Sequence, residues 1–332
     1  MKIAFFSTKQ YEKDFFEKIN AKFNQEITYF DARLTSEVIS LVKGFTAICI
    51  FVNDMLDKQL LEKLAENDVK LIALRCAGFN NVDLKVAHDL GLTVVRVPDY
   101  SPYAVAEYTL ALILTLNRKI NKTYNRIRDN NFSLDGLIGF DMHEKTIGIF
   151  GTGKIGKTFA KIMSGFGCRL IAFDLFEDKE CLDFGVEYVS FNELFELSDI
   201  ISLHCPLNHE THHLINKKTL TMMKDDVMLI NTSRGGLIDT QEVINALKSK
   251  KIGYLGLDVY EEEADIFYKD LSREVLQDDL LARLLTFQNV IVTSHQAFFT
   301  DNAMNKIATT TLENVSKFEQ KNPINLVLPK IN

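Results

Sequence analysis

The sequence predicts an α/β protein in which parallel sheets carry helices on both faces, arranged as two doubly wound domains. Short β-branched and aromatic runs alternate with amphipathic segments over the first hundred residues, and a second alternation begins near Thr146. The runs of the second block are apolar almost throughout, as expected of strands covered on both sides. A chain of 332 residues has room for about two domains at ~150 residues each.

The expected elements follow in order. Ile3–Phe6, Ile27–Phe30, Ala47–Val52, Leu71–Leu74 and Thr93–Val95 read as strands. Tyr11–Lys22 and Asp57–Glu66 read as helices between them; in the first, Phe15, Ile19 and Phe23 recur at i, i+4, i+8. Ser101–Leu116 is one long helix, with Ser101 as N-cap and Pro102 at its first position. Second-block strands are Thr146–Phe150, Arg169–Phe173, Ile200–Leu203, Val227–Asn231, Tyr254–Asp258 and Val290–Thr293. Asn302–Phe318 closes the chain as an amphipathic helix. With only five prolines and no Pro/Gly-rich tract, the domains must be joined by ordered elements.

Composition narrows the partners. Hydrophobic residues at 46% and charged residues at 25% exclude disorder and coiled coil as the main architecture. A net charge of −7 and a pI near 5.6 give no global basic footprint, so neither nucleic acid nor an acidic membrane is expected as a partner. No stretch approaches ~18 apolar residues, and Met1–Ser7 is too short for a signal core. The five cysteines are widely spaced without a CxxC pair, which points to a reducing, cytoplasmic setting.

Thr146–Phe150 runs directly into Gly151-Thr152-Gly153-Lys154-Ile155-Gly156 and a helix. In this pattern Gly151 permits the tight turn, Gly153 admits a pyrophosphate to the backbone, and Gly156 lets helix and strand pack closely. The helix N-terminus offers free N–H groups to the phosphates. The next strand closes on Asp174, about twenty residues along, where a carboxylate holds the adenine ribose hydroxyls and repels a 2′-phosphate. Leu175 and Phe176 follow it instead of an arginine, which favours NAD over NADP.

A second motif reads differently. His209-Glu210-Thr211-His212-His213 matches the zinc pattern HExxH, but that pattern needs a helix. Here it follows a strand and Cys205-Pro206-Leu207-Asn208, with no apolar stripe, so a solvated loop and no metal are expected.

Three further residues follow apolar strands: Arg234 in Asn231-Thr232-Ser233-Arg234-Gly235-Gly236, Glu263 after Asp258-Val259-Tyr260, and His295 in Ser294-His295-Gln296. Singly, each reads as a surface salt bridge, a solvated acidic run or a polar loop. Together they lie beyond the carboxyl ends of strands, the edge at which ligands bind open α/β sheets.

These pieces carry a resemblance. GTGKIG at 151–156, HCPL at 204–207, NTSRGGLID at 231–239, DVYEEE at 258–263 and SHQAF at 294–298 resemble the D-isomer-specific 2-hydroxyacid dehydrogenases, and within them the NAD-dependent D-lactate-forming branch. The resemblance implies a Rossmann NAD domain, 101–297, inserted into a flavodoxin-like substrate domain formed by 1–100 and 298–332. It implies that Arg234 grips the 2-oxo acid and polarises its carbonyl, that His295 is the acid/base, and that Glu263 is its partner. It places Cys205, Pro206, Thr232, Ser233 and Asp258 beside the cofactor. The substrate carboxylate then meets the N–H groups of Ala77 and Gly78, and Phe51, Tyr100 and Phe298 line the pocket. Cys76 stands where the family often has asparagine. The implied reaction is reversible hydride transfer between NADH and pyruvate, in a fermentative homodimer or homotetramer with the region after Leu116 at the interface. A larger 2-oxo acid, such as phenylpyruvate or a branched-chain analogue, and a non-enzymatic NAD-sensing module are the alternatives.

Elementary chemistry agrees with these roles. Carbonyl reduction needs a proton at the oxygen, and histidine titrates near neutral pH. Charge builds on that oxygen as hydride arrives, where a guanidinium fork can hold carboxylate and carbonyl together.

Overall fold

The computed structural model describes residues 1–329. The chain forms two compact units, Met1–Ser101 with the residues from Phe299 onward, and Pro102–Phe298.

The first unit is built on strands β1 (Lys2–Phe5), β2 (Glu26–Tyr29), β3 (Ala47–Ile50), β4 (Leu71–Leu74) and β5 (Thr93–Val95), all parallel, in the order β2-β1-β3-β4-β5. This is the flavodoxin-like order. β3 and β4 are buried at every residue, which explains their unbroken apolar sequence. The helix Lys58–Glu66 starts where Asp57 accepts from the Leu60 N–H. The last helix, Asp301–Glu319, buries Ile307, Leu312 and Val315, and its Asn314 donates to the Arg96 carbonyl (2.8 Å). The chain thus returns to the unit it began in.

The second unit carries seven parallel strands: β6 (Thr146–Phe150), β7 (Arg169–Phe173), β8 (Val186–Tyr188), β9 (Ile200–Leu203), β10 (Val227–Asn231), β11 (Ile252–Leu257) and β12 (Val290–Val292). Their order is β12-β11-β10-β9-β6-β7-β8. The order reverses between β6 and β9, the switch point of the dinucleotide-binding fold. The helix Pro102–Arg118 packs Ala106, Leu112, Ile113 and Leu116 into the core beside Ile147, Ile149 and Met228. Two α/β domains on parallel sheets are therefore present, as the sequence predicts. β8 was not foreseen. Its three residues at the sheet edge read buried, exposed, half-buried, too short and too polar a run to stand out.

Candidate active site

The switch point is shaped by the three glycines. Gly151 has φ +95°, and a Cβ there would lie 2.8 Å from the Cys205 nitrogen. A Cβ on Gly156 would fall 1.9 Å from the Gly151 carbonyl oxygen. Gly153, by contrast, caps the helix Lys154–Met163 and has no atom within 4 Å of its Cβ direction. Two glycines close the turn against the chain, and the third leaves an open approach. Lys154 and Ile155 begin that helix, at the end whose N–H groups point towards a bound anion.

Asp174 sits beside this turn. Its Oδ2 accepts from the Thr152 N–H (2.6 Å) and hydroxyl (3.2 Å), and its Oδ1 from the Phe176 N–H (3.1 Å). The unforeseen β8 adds Tyr188, whose hydroxyl donates to Thr152 Oγ1 (2.9 Å) and accepts from the Asp178 N–H (2.8 Å). A cavity of about 360 Å³ opens here, lined by Gly151, Gly153, Asp174, Phe176, Cys205 and Pro206 among others. An apolar slot, a carboxylate and a helix N-terminus in this arrangement fit the adenosine and pyrophosphate of a dinucleotide.

Beneath the turn, His204 packs its ring on Phe159 (centroids 5.2 Å apart) and bonds Ser202 through Nε2 (2.8 Å). Burial pushes its pKa down to about 3, so it stays neutral. Burial likewise pushes the Cys205 thiol up to about 12 and keeps it protonated. The Cys205 carbonyl accepts from the Ser233 hydroxyl (2.7 Å), and Thr232 Oγ1 lies 2.9 Å from Thr109 Oγ1. Thr232 and Ser233 therefore tie the β10 loop to its neighbours.

Arg234, Glu263 and His295 follow β10, β11 and β12, three adjacent strands of one parallel sheet. His295 Nδ1 meets Glu263 Oε1 at 2.7 Å, with both side chains about four-fifths buried, at 17% and 21% exposure. The second Glu263 oxygen accepts from the Tyr260 N–H (2.9 Å), which fixes the carboxylate. Nδ1 thus faces Glu263, and Nε2 is the ring nitrogen left for chemistry. Arg234 is half-buried; its Nη1 donates to the Ser233 carbonyl (2.6 Å), while Asn231 Nδ2 donates to the Arg234 carbonyl (2.8 Å).

His295 has φ +52°, a left-handed conformation that a non-glycine residue adopts only under constraint. The constraint is Asp258. This fully buried residue accepts the His295 N–H on its own carbonyl (2.7 Å). Its Oδ1 takes the Thr293 hydroxyl (2.6 Å) and the Gln296 N–H (2.9 Å), and its Oδ2 takes the Ala297 N–H (2.8 Å). Burial raises the Asp258 pKa against the three bonds to its carboxylate. The Tyr268 hydroxyl adds a bond to the His295 carbonyl (3.1 Å). Asp258 thus shapes the histidine loop, a task the sequence reading did not see. Tyr268 was missed as well, because nothing local marks a tyrosine in the 264–278 loop as a neighbour of residue 295.

The substrate-side residues divide between the units. Phe298 is buried in the second. In the first, Phe51 donates its N–H to Asp54 Oδ2 (2.9 Å), its ring lies 5.1 Å from the Arg75 guanidinium, and Tyr100 is half-buried. Arg75 is fully buried and donates through Nε to Glu12 Oε1 (2.6 Å). It anchors the turn that follows β4. There Arg96 holds the Ala77 carbonyl (2.7 Å) and the Cys76 thiol donates to the Gly78 carbonyl (3.2 Å). Among the described residues no acceptor takes the Ala77 or Gly78 N–H. That leaves two adjacent donors of the kind a carboxylate uses.

The zinc-like string forms a turn, not a helix. His209, Glu210 and His212 are exposed, but His213 is only half-exposed and its Nε2 meets Glu261 Oε1 at 2.5 Å. The expectation of a simply solvated loop fails for that one residue.

Comparison with known proteins places this geometry. Residues 110–297 match the family model of the D-isomer specific 2-hydroxyacid dehydrogenase, NAD binding domain. The chain belongs to the D-isomer specific 2-hydroxyacid dehydrogenase family. Its cofactor is accordingly NAD, and the glycine turn, Asp174 and their cavity are the residues that fit it. A D-lactate dehydrogenase of Escherichia coli is 52% identical over 320 residues, 96% of this chain and 97% of that one. Among solved structures, the apo-structure of D-lactate dehydrogenase from Escherichia coli has a TM-score of 0.90 at 49% identity, covering 99% of this chain and 100% of that one. A D-lactate dehydrogenase from Aquifex aeolicus complexed with NAD and lactic acid has a TM-score of 0.88 at 33% identity, covering 99% of this chain and 100% of that one. For this family member, no helix of the described residues is long and apolar enough to cross a membrane.

Proposed function

We propose that this family member is an NAD-dependent D-lactate dehydrogenase that interconverts pyruvate and D-lactate. The observation that carries the proposal is the His295–Glu263 pair, held at 2.7 Å on strand ends adjacent to that of Arg234. The name D-lactate dehydrogenase, carried by the relative and the two structures above, supports the substrate. Bound NADH supplies the hydride to carbon 2. His295 Nε2 gives the carbonyl oxygen its proton in reduction and takes it back in oxidation, while Glu263 keeps the ring oriented. Arg234 is assigned to grip the substrate carboxylate and stabilise the developing alkoxide, an effect on the order of 10²–10⁴ in rate. The free N–H groups of Ala77 and Gly78 hold the carboxylate, and Phe51, Tyr100 and Phe298 wall off the methyl group and water. Asp258 and Tyr268 keep His295 in its left-handed setting.

The cytoplasm suits an enzyme with five free cysteines, four of them buried. A homodimer or homotetramer is the assembly. Its support is an exposed apolar band on the second unit: Ile120, Tyr124 and Ile127 along one helix face, then Phe132, Leu134 and Ile138, all at least 49% exposed.

The test is NADH oxidation with a panel of 2-oxo acids, NADPH in parallel, and the chirality of the product determined. Pyruvate is expected to give the highest kcat/KM, with D-lactate as product. A preference for phenylpyruvate or a branched-chain acid would replace the substrate, and no turnover with any 2-oxo acid would leave an NAD-sensing module.

A further inference from the structure

We propose that His212, His213 and Glu261 form a binding site for a divalent ion of the zinc class, apart from the His295–Glu263–Arg234 centre. Fold and sequence disagree about where ligands lie in this loop. The HExxH letters nominate His209 and His213 as ligands, but the two stand on a turn that does not align them as a helix would. The turn instead presents His212 and His213 to a carboxylate that arrives from the β11 loop. One ligand atom from each of His212, His213 and Glu261 lies within 4.8 Å of the others. The two imidazoles stack with centroids 4.0 Å apart, so both rings already stand on the same side of the turn.

The donor set suits zinc. Two ring nitrogens and one carboxylate oxygen, with an exposed side for water, make the three-ligand-plus-solvent arrangement that this ion accepts. More telling is what stands behind the ligands. His213 Nδ1 faces Asp239 Oδ2 at 3.8 Å, while its Nε2 faces Glu261. The far oxygen of Glu261 accepts from the Thr240 hydroxyl (3.1 Å). A metal-bound histidine is characteristically oriented by a carboxylate on its other nitrogen, and a metal-bound carboxylate by a further hydrogen bond. The Glu261 support is in place as a hydrogen bond, and Asp239 stands behind the His213 ring as a charge partner within 4 Å. A plain histidine–glutamate pair accounts for the 2.5 Å contact but needs neither the second carboxylate on the same ring nor the stacked His212.

The ion takes the position between His213 Nε2 and Glu261 Oε1, and any proton shared there leaves to solvent. The two atoms separate from 2.5 Å to the span of two ligands that each sit about 2.0–2.2 Å from the ion. His212 swings in as the third ligand.

The site is coupled to the catalytic loops by backbone contact. The His213 N–H donates to the Gly236 carbonyl (2.9 Å), two residues beyond Arg234. A Cβ on Gly235 would lie 2.4 Å from the Glu261 nitrogen, so the Arg234 loop rests directly on the segment leading to Glu263. An ion at Glu261 therefore braces the backbone on which both residues stand.

The experiment is a Co²⁺ titration of the full-chain protein followed by visible absorption, with Zn²⁺ added afterwards as competitor. The expected result is one ion per chain, with d–d bands of a nitrogen and oxygen site, no thiolate charge-transfer band, and displacement by Zn²⁺. His212→Ala, at an exposed position that does not endanger folding, should weaken binding at least tenfold, as should Glu261→Gln. His209→Ala and His295→Asn should bind as the parent does. The proposal is overturned if no saturable band develops, if a thiolate band dominates, if His212→Ala binds Co²⁺ as tightly as the parent, or if His295→Asn is the variant that loses the ion.

Discussion

Gly153 and Gly156 belong to one motif, yet the structure predicts that alanine will act on them through different free energies. At Gly156 the new methyl group would meet the Gly151 carbonyl oxygen at 1.9 Å, so the helix must withdraw by about 1.5 Å to reach ordinary contact. Alanine recovers about 1 kcal/mol of helix propensity over glycine, but overpacking this close to a backbone oxygen costs about 2–3 kcal/mol, the upper part of the usual range. The net expectation for Gly156→Ala is a loss of roughly 1–2 kcal/mol of stability, together with weakened NADH binding because the turn is displaced. At Gly153 the methyl group meets nothing, and φ −60° is ordinary for alanine, so Gly153→Ala should leave stability within about 0.5 kcal/mol. The same methyl group stands where the pyrophosphate approaches, so NADH affinity should fall at least tenfold, about 1.4 kcal/mol. Guanidinium denaturation of the cofactor-free protein reads the first quantity, and NADH fluorescence titration the second. The reasoning is refuted if Gly153→Ala destabilises the fold as much as Gly156→Ala does, or if it binds NADH as the parent does.

His295→Asn removes the proton donor and should lower kcat with pyruvate by on the order of 10²–10⁴, while NADH still binds; full turnover would remove His295 from the reaction. Arg234→Lys keeps the charge but loses the fork, so kcat should fall and KM for pyruvate should rise in steady-state kinetics; unchanged values for both would take Arg234 out of the site. His204 bears on acid stability. Its folded pKa of about 3 lies below the unfolded value near 6.5, so between these pH values the unfolded chain binds the extra proton. The penalty is absent above pH ~6.5 and grows by up to about 1.4 kcal/mol per pH unit as pH falls toward 3. His204→Gln should flatten that part of the curve in denaturation series from pH 7 to 4, and a slope equal to the parent's would show that His204 is not the group responsible.

Much of the molecule was legible in the sequence because its signals are local. Buried parallel strands such as Leu71–Leu74 and Val227–Asn231 must be apolar on both faces, and they read as such. The glycine turn is a short-range backbone requirement, and Asp174 closes the strand that follows it. Arg234, Glu263 and His295 stand out in the sequence because each lies a few residues beyond a strand, and strand ends in an open α/β sheet mark its binding edge. Tertiary structure alone decided the rest. β8 is stabilised by an edge pairing with β7 that its three residues do not announce, and with it comes the Tyr188 support of Thr152. Asp258 read as one more polar residue near a cofactor, but the register of β11 beside β12 places it under the His295 loop and sets that residue's backbone. The histidine string shows the same limit from the other side. Its letters suggested ligands close in sequence, whereas the fold brings Glu261 to His213 from 48 residues away. Periodicity and turn chemistry are properties of neighbouring residues and can be read one segment at a time. Which loops meet is set by the order in which strands hydrogen-bond across a sheet, and that order exists only when the whole chain is folded.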